Sequence, residues 1–216
     1  MKIIFQNQYF VAVDKEPGFL SVPARQADDP RPVLGRLLQE QLGQQIYPVH
    51  RLDAEVSGLV LYALTPEAHA AANTCFEDRQ VQKTYQAFSS GGSFEVGAKG
   101  LWKAKLLRGK KRAYESPVGK LAVTGATLLA SPAPETFEWK LEPQTGRSHQ
   151  LRWELFRHGS SILGDVLYGS SRRWNQGIAL RSVSLVFAEE FTKRFGLPSE
   201  LGVETWIYSD HLSMKV

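Results

Sequence analysis

Residues 50–70 read HRLDAEVSGLVLYALTPEAHA, passing from a charged cluster through an apolar run into a helix start. His50, Arg51 and Asp53 bring imidazole, guanidinium and carboxylate together within four residues. SGLVLYAL is an apolar run of strand length. Thr65, Pro66 and Glu67 then supply a hydroxyl cap, a proline at the first helical position and an acid near the positive end of the helix dipole. This predicts a helix that reaches about Asp78. Taken alone, HRLD also suits an ordinary turn in which Asp53 pairs with Arg51, a surface ion pair of little energetic weight.

On the amino-terminal side, YFVAV (9–13) suits a short strand and Pro17-Gly18 a turn. Val33, Leu34, Leu37, Leu38 and Leu42 form a helical stripe closed by Gly43. On the carboxyl-terminal side, VQKTYQAF alternates as a strand does, Ser89–Ser93 reads as a loop, and LAVTGATLLA with TFEWKLEP reads as a hairpin. TGRSHQLRWELFRHG predicts a helix capped by Thr145 or Ser148 and ended by Gly159. IALRSVSLVFA and ETWIYS read as the last strands. Strands outnumber helices without alternating strictly with them, so the expected class is α+β, a mixed, largely antiparallel sheet with flanking helices.

The 216 residues, 43% of them hydrophobic, suffice for one sizeable core, and a single domain over 1–216 is expected. No apolar run approaches the ~20 residues that cross a bilayer, and Gln6, Asn7 and Gln8 interrupt the opening stretch where a secretion signal is apolar. A cytoplasmic location follows as the expectation. Cys75 is the only cysteine, which excludes an internal disulfide and suits a small buried hydrophobe. No histidine pair has ligand spacing, so a metal is not expected. Net charge is +4, but Trp102–Lys120 holds seven basic residues, Lys110, Lys111 and Arg112 among them, against the single acid Glu115. That segment alone carries +6 and leaves the rest near −2. It suits either a solvated loop or, with Trp102 and Tyr114 interleaved, a basic hairpin insertion at about 102–120 that contacts nucleic acid.

Several spaced motifs together carry a resemblance. HRLDAEVSGLVLYA, KTYQA (83–87), GRSHQLR (146–152) and GSSILGDVLYG (159–169) resemble, in order, the motifs of the RNA pseudouridine synthases of the ribosomal large-subunit type A group. VAVDKEPGFLSVPAR (11–25) and GKLAVT (119–124) agree with it. The resemblance implies the pseudouridine synthase fold with a central catalytic cleft. It implies an isomerase that detaches uracil from ribose, rotates it and rejoins it through carbon. It further implies a structured ribosomal or transfer RNA stem-loop as partner, no cofactor, no membrane, and a monomer in the short form that lacks an amino-terminal RNA-binding domain. Asp53 would be the catalytic carboxylate, which can capture or stabilise positive charge building at the sugar. Arg152 would be the cation that pairs with this carboxylate, and Tyr85 would lie against the uracil face. Arg51 would fill the space of the flipped base, since the reacting face is hidden in a stacked stem. Leu151 would pack near the base, and His50, Arg147 and His149 would join Lys110, Lys111 and Arg112 in holding the RNA.

The bland alternatives are a tyrosine packed in a strand for Tyr85, a satisfied helix histidine for His149 and solvated cations for Arg147 and Arg152. The sequence also departs from the family pattern. Val56 stands where a threonine is usual, Arg181 where a histidine is common, and Glu16 splits the usual Lys-Pro into Lys15-Glu16-Pro17. Val56 and Arg181 leave open an RNA-binding protein that has lost catalysis, and Asp53 acting as a nucleophile leaves open a glycosylase that releases free uracil.

Overall fold

In the computed structural model the described residues are 1–24 and 28–211, so Arg25, the last residue of the first motif, lies outside them. The chain packs as two compact units, residues 1–82 with 182–204, and residues 83–181 with the segment from Thr205.

The first unit contains β1 (Lys2–Gln6), β2 (Phe10–Lys15), α1 (Leu34–Leu42), β3 (Tyr47–Pro48), β4 (Ser57–Ala63) and α2 (Pro66–Glu77). Strand order is β1-β2-β4-β11, with the Ser182–Val186 part of β11 (Leu180–Val186) in this unit. Between β2 and β4 the ladder is antiparallel, from Phe10 opposite Ala63 to Lys15 opposite Gly58. Every residue of β4 is buried, which is why it reads as a continuous apolar run without alternation. Thr65 Oγ1 accepts from the Ala68 N–H at 3.1 Å, so α2 starts where the Thr-Pro-Glu signal places it. α1 ends at Gly43 in the left-handed conformation (φ 63°), also as expected. α4 (Glu189–Phe195) and β1 were not foreseen. Their apolar side chains close the core, where Phe10 meets Phe195 edge-on at 5.6 Å and Cys75 lies buried beside Leu59, Leu61 and Phe191. Gly58 is indispensable here: at φ 105° a Cβ would collide with the Ser182 carbonyl oxygen, so only glycine lets β4 and β11 approach.

The second unit is built on β5 (Gln82–Ser90), β6 (Lys99–Arg108), β7 (Ala113–Glu115), β8 (Lys120–Ala133) and β9 (Thr136–Pro143), in the antiparallel order β5-β9-β8-β6-β7. β8 and β9 form the expected hairpin. The basic segment is a hairpin too, since β6 turns through residues 109–112 into β7, while β6 also pairs along most of its length with β8. α3 (Gln150–Arg157) lies over this sheet, and β10 (Ser161–Ile162) and a 3-10 turn (Val166–Tyr168) follow it. Ala104, Leu106 and Ala122 pack with Trp153 and Tyr168 in its core.

Two expectations are corrected. Neither Thr145 nor Ser148 caps α3; the helix starts after His149, which is left-handed (φ 54°) and caps with no side-chain bond. The Gln150 side chain satisfies this corner from inside, accepting from Thr145 Oγ1 (2.8 Å) and the Arg147 N–H (2.9 Å) while donating to Val123 O (3.0 Å) and Thr124 Oγ1 (2.9 Å). ETWIYS is not a strand; β12 (Glu200–Gly202) ends before it and a 3-10 turn begins at Tyr208. The Gln86 side chain takes the place of a neighbouring strand, accepting from the Trp206 N–H at 2.8 Å and donating to the Trp206 carbonyl at 3.0 Å.

Candidate active site

In the first unit the loop between β3 and β4 presents His50, Arg51 and Asp53. Its backbone is fastened from several sides. The Gly18 N–H donates to Ala54 O (2.7 Å), the Leu52 N–H to Ser21 Oγ (3.1 Å), and the Val56 N–H to Asp53 O (3.1 Å). This last bond turns the chain at the carboxylate through backbone alone, so valine in place of threonine does not open the loop. His50 Nε2 accepts from the Leu61 N–H at 2.9 Å and its ring stacks on Phe76 at 5.1 Å, so the imidazole anchors the loop to β4 and α2. Arg51 is exposed and Asp53 half-buried.

Lys15, which the sequence does not single out, is 1% exposed behind this loop. Its Nζ donates to Glu16 O (3.1 Å), Phe19 O (2.9 Å) and Ala54 O (3.2 Å). Burial lowers the ammonium from its ordinary 10.5 to about 8, against the pull of Glu55 and Asp53, which favour the charged form. A buried cation thus stands in the field of the loop's two carboxylates and ties Ala54 to the turn after β2. In the sequence it stands only as the lysine after Asp14 at the end of FVAVDK, which does not reveal its burial.

The second unit holds the other expected residues. Tyr85 is half-buried on β5, opposite Leu141 of β9. Arg147 extends its Nε to Leu121 O at 2.9 Å, which fixes the loop before α3 to β8. Leu151 is buried on α3. Arg152, 2% exposed, forms a two-pronged pair with Asp165, itself 1% exposed, from Nε to Oδ2 (2.7 Å) and from Nη2 to Oδ1 (2.8 Å). Asp165 is the acid of the GDVLYG motif, a partner that the motif pattern alone does not assign. The guanidinium also lies 5.4 Å over the Tyr168 ring. Such a pair in low dielectric holds the guanidinium in one orientation, which a solvated arginine lacks.

Lys110, Lys111 and Arg112 are exposed in the turn between β6 and β7. Of the two aromatics in this segment, Tyr114 is exposed, whereas Trp102 stacks on His158 at 4.3 Å and meets Trp139 at 5.5 Å. Arg181 is buried with its guanidinium 5.5 Å over Trp206. The arrangement therefore supplies a fixed carboxylate in one unit, and in the other a fixed guanidinium, a half-buried phenol and a cationic turn.

A model of the RNA pseudouridylate synthase family matches residues 9–158. The chain is 32% identical over 201 residues to the dual-specificity RNA pseudouridine synthase RluA of Pasteurella multocida, covering 90% of both chains. It is also 32% identical over 190 residues to tRNA pseudouridine synthase C of Pectobacterium carotovorum, covering 82% of this chain and 50% of that relative. The chain thus spans half the length of that protein. Among solved structures, human RNA pseudouridylate synthase domain containing 1 is similar in fold, with a TM-score of 0.69 and 23% identity over 85% of this chain and 77% of the other.

Proposed function

The chain belongs to the RNA pseudouridylate synthase family, and from that premise we propose that it isomerises a uridine of structured RNA to pseudouridine with Asp53 as the catalytic carboxylate. The C1′–N1 bond breaks, the uracil rotates, a C1′–C5 bond forms, and the hydrogen lost from C5 is balanced by a proton gained at N1. Breaking the glycosidic bond builds positive charge on the sugar, which an ionised carboxylate captures covalently or stabilises. The observation that carries this assignment is the setting of Asp53, half-buried on a loop pinned at Leu52, Ala54 and Val56, with the buried ammonium of Lys15 behind it.

Tyr85 lies against the uracil face and assists loss of the C5 proton. Arg152 is the cation of the reaction, and Asp165 holds that guanidinium in place. Arg51 occupies the space left by the flipped nucleotide, while Leu151 packs near the base. Lys110, Lys111 and Arg112, with Arg147, His50 and His149, hold the RNA. Phosphate contacts position an RNA without reading its sequence, so the stem-loop, ribosomal or transfer, is selected by shape and by unstacked bases. Residues 1–216 act as one catalytic domain, monomeric and cytoplasmic; among the described residues no helix is long and apolar enough to cross a membrane.

The deciding experiment incubates the protein with total bacterial RNA carrying tritium at uracil C5. Release of tritium that disappears in Asp53→Asn, with the variant's circular dichroism unchanged, is the expected result. No release above the Asp53→Asn background on any RNA overturns the isomerase in favour of a binding protein, and free uracil in the supernatant points to a glycosylase.

A further inference from the structure

The basic turn and Arg152 are distant in sequence, yet within the second unit an unbroken run of contacts joins them. Arg108 Nη1 donates to Lys111 O at 2.8 Å, closing the turn, and lies 3.2 Å from His149 Nε2. His149 Nδ1 is 3.1 Å from the Tyr168 hydroxyl. That oxygen accepts from the Ala113 N–H at 2.8 Å, and its own proton is directed to Ala113 O at 3.4 Å. The Tyr168 ring is fully buried beneath the Arg152 guanidinium, and Asp165, which pairs with Arg152, immediately precedes the 3-10 turn carrying Tyr168.

The donors and acceptors fit only one assignment. A guanidinium has no acceptor, so His149 Nε2 accepts from Arg108 and the imidazole proton resides on Nδ1, facing the phenol oxygen. The phenol then receives two N–H groups and gives its proton to the Ala113 carbonyl. Burial pushes this hydroxyl up to about 12, so it keeps that proton across the neutral range. A tyrosine serving only to fill the core has no need of this. All of its hydroxyl's contacts lead either to the first residue of β7, directly after the basic turn, or to the residue before α3.

We propose that the Tyr168 hydroxyl, acting with His149 and Arg108, is a positioning group that ties the basic turn to the Arg152–Asp165 pair, so that RNA phosphates seated on Lys110, Lys111 and Arg112 set the orientation of Arg152. The proposal rests on the assignment of the turn to RNA binding and of Arg152 to catalysis. Coupling of this kind is an interaction free energy between the two ends, read from how their separate and joint removal combine.

A double-mutant cycle measures it. Wild type, Tyr168→Phe, the turn variant Lys110→Gln/Lys111→Gln/Arg112→Gln, and their combination are compared using total bacterial RNA tritiated at uracil C5. Filter retention gives affinity and its salt slope, and tritium release at saturating RNA gives the rate. Tyr168→Phe keeps the ring under Arg152 and should slow release about fivefold or more, with affinity unchanged within about twofold. The turn variant should bind more weakly, with a shallower salt slope, and should also release tritium more slowly at saturation. Combined, the changes should slow release no more than the slower parent. Arg108→Gln, at an exposed residue, should reproduce the rate loss of Tyr168→Phe without lowering the melting temperature. Rate losses that multiply, a wild-type rate in Tyr168→Phe, or a wild-type rate in Arg108→Gln each overturn the coupling. Unchanged affinity and salt slope in the turn variant overturn the RNA-binding assignment itself, and the coupling with it, by a different signature.

Discussion

Arg152 and Asp165 form a pair in which each partner is almost wholly buried, and this fixes what their separate removal does. Truncating Arg152 leaves the Asp165 carboxylate buried in low dielectric without its guanidinium, a cost of about 3–5 kcal/mol. Arg152→Ala should therefore lower the urea midpoint severely as well as activity, and chemical denaturation checks this directly; a midpoint within error of wild type contradicts it. Lys15 gives a second prediction with a defined pH window. Burial holds its folded-state value near 8 against an ordinary 10.5, so between those values the unfolded chain binds more protons than the folded one. Stability measured against Lys15→Met should thus be flat below pH 8 and rise toward pH 10.5 by at most about 1.4 kcal/mol per unit. Paired urea titrations at pH 7 and 10 test this, and a fall with rising pH refutes it. The candidate residues were proposed from the resemblance that HRLD, KTYQA and GRSHQLR carry together and in order, since each of them taken alone also suits a turn, a packed strand or solvated cations. Lys15 and Asp165 were not, because their importance comes from burial beside a partner, which composition does not reveal.

Elements were readable where local chemistry decides them and obscure where a distant side chain does. α2 begins at its Thr-Pro-Glu signal because cap, proline and dipole act within one turn. The start of α3 defied the same logic, since His149 precedes it without a side-chain cap bond and Gln150, inside the helix, ties the preceding loop to β8. ETWIYS has strand-forming residues but meets the Gln86 side chain in place of a partner strand. The charge of the basic segment suited either a solvated loop or a hairpin insertion, and gave no hint that β6 also pairs with β8 as part of the sheet. The joint between β4 and β11 yields the prediction at this scale. Gly58→Ala places a methyl group against the Ser182 backbone and strains a positive φ, which together should cost about 3 kcal/mol or more. Loss of soluble expression, or a melting temperature lowered by many degrees, is the expected outcome; a normal melting curve sinks it.

Across the molecule, charge is distributed so that a modest total of +4 hides a strongly cationic segment on an otherwise slightly acidic chain. RNA affinity should fall steeply with salt, and neutralising the turn should flatten the logarithmic slope by roughly 0.7–0.9 for each phosphate deprived of its cation. A slope unchanged in the neutralised variant would place the grip elsewhere. The single thiol at Cys75 offers a different kind of access. It lies in the core of the first unit, and burial, with Asp78 and Glu190 nearby, raises its pKa and keeps the reactive thiolate scarce. Alkylating reagents should therefore ignore the native protein and label it only when that unit opens, so maleimide uptake against time becomes a clock for the first unit, read by mass spectrometry without any engineered probe.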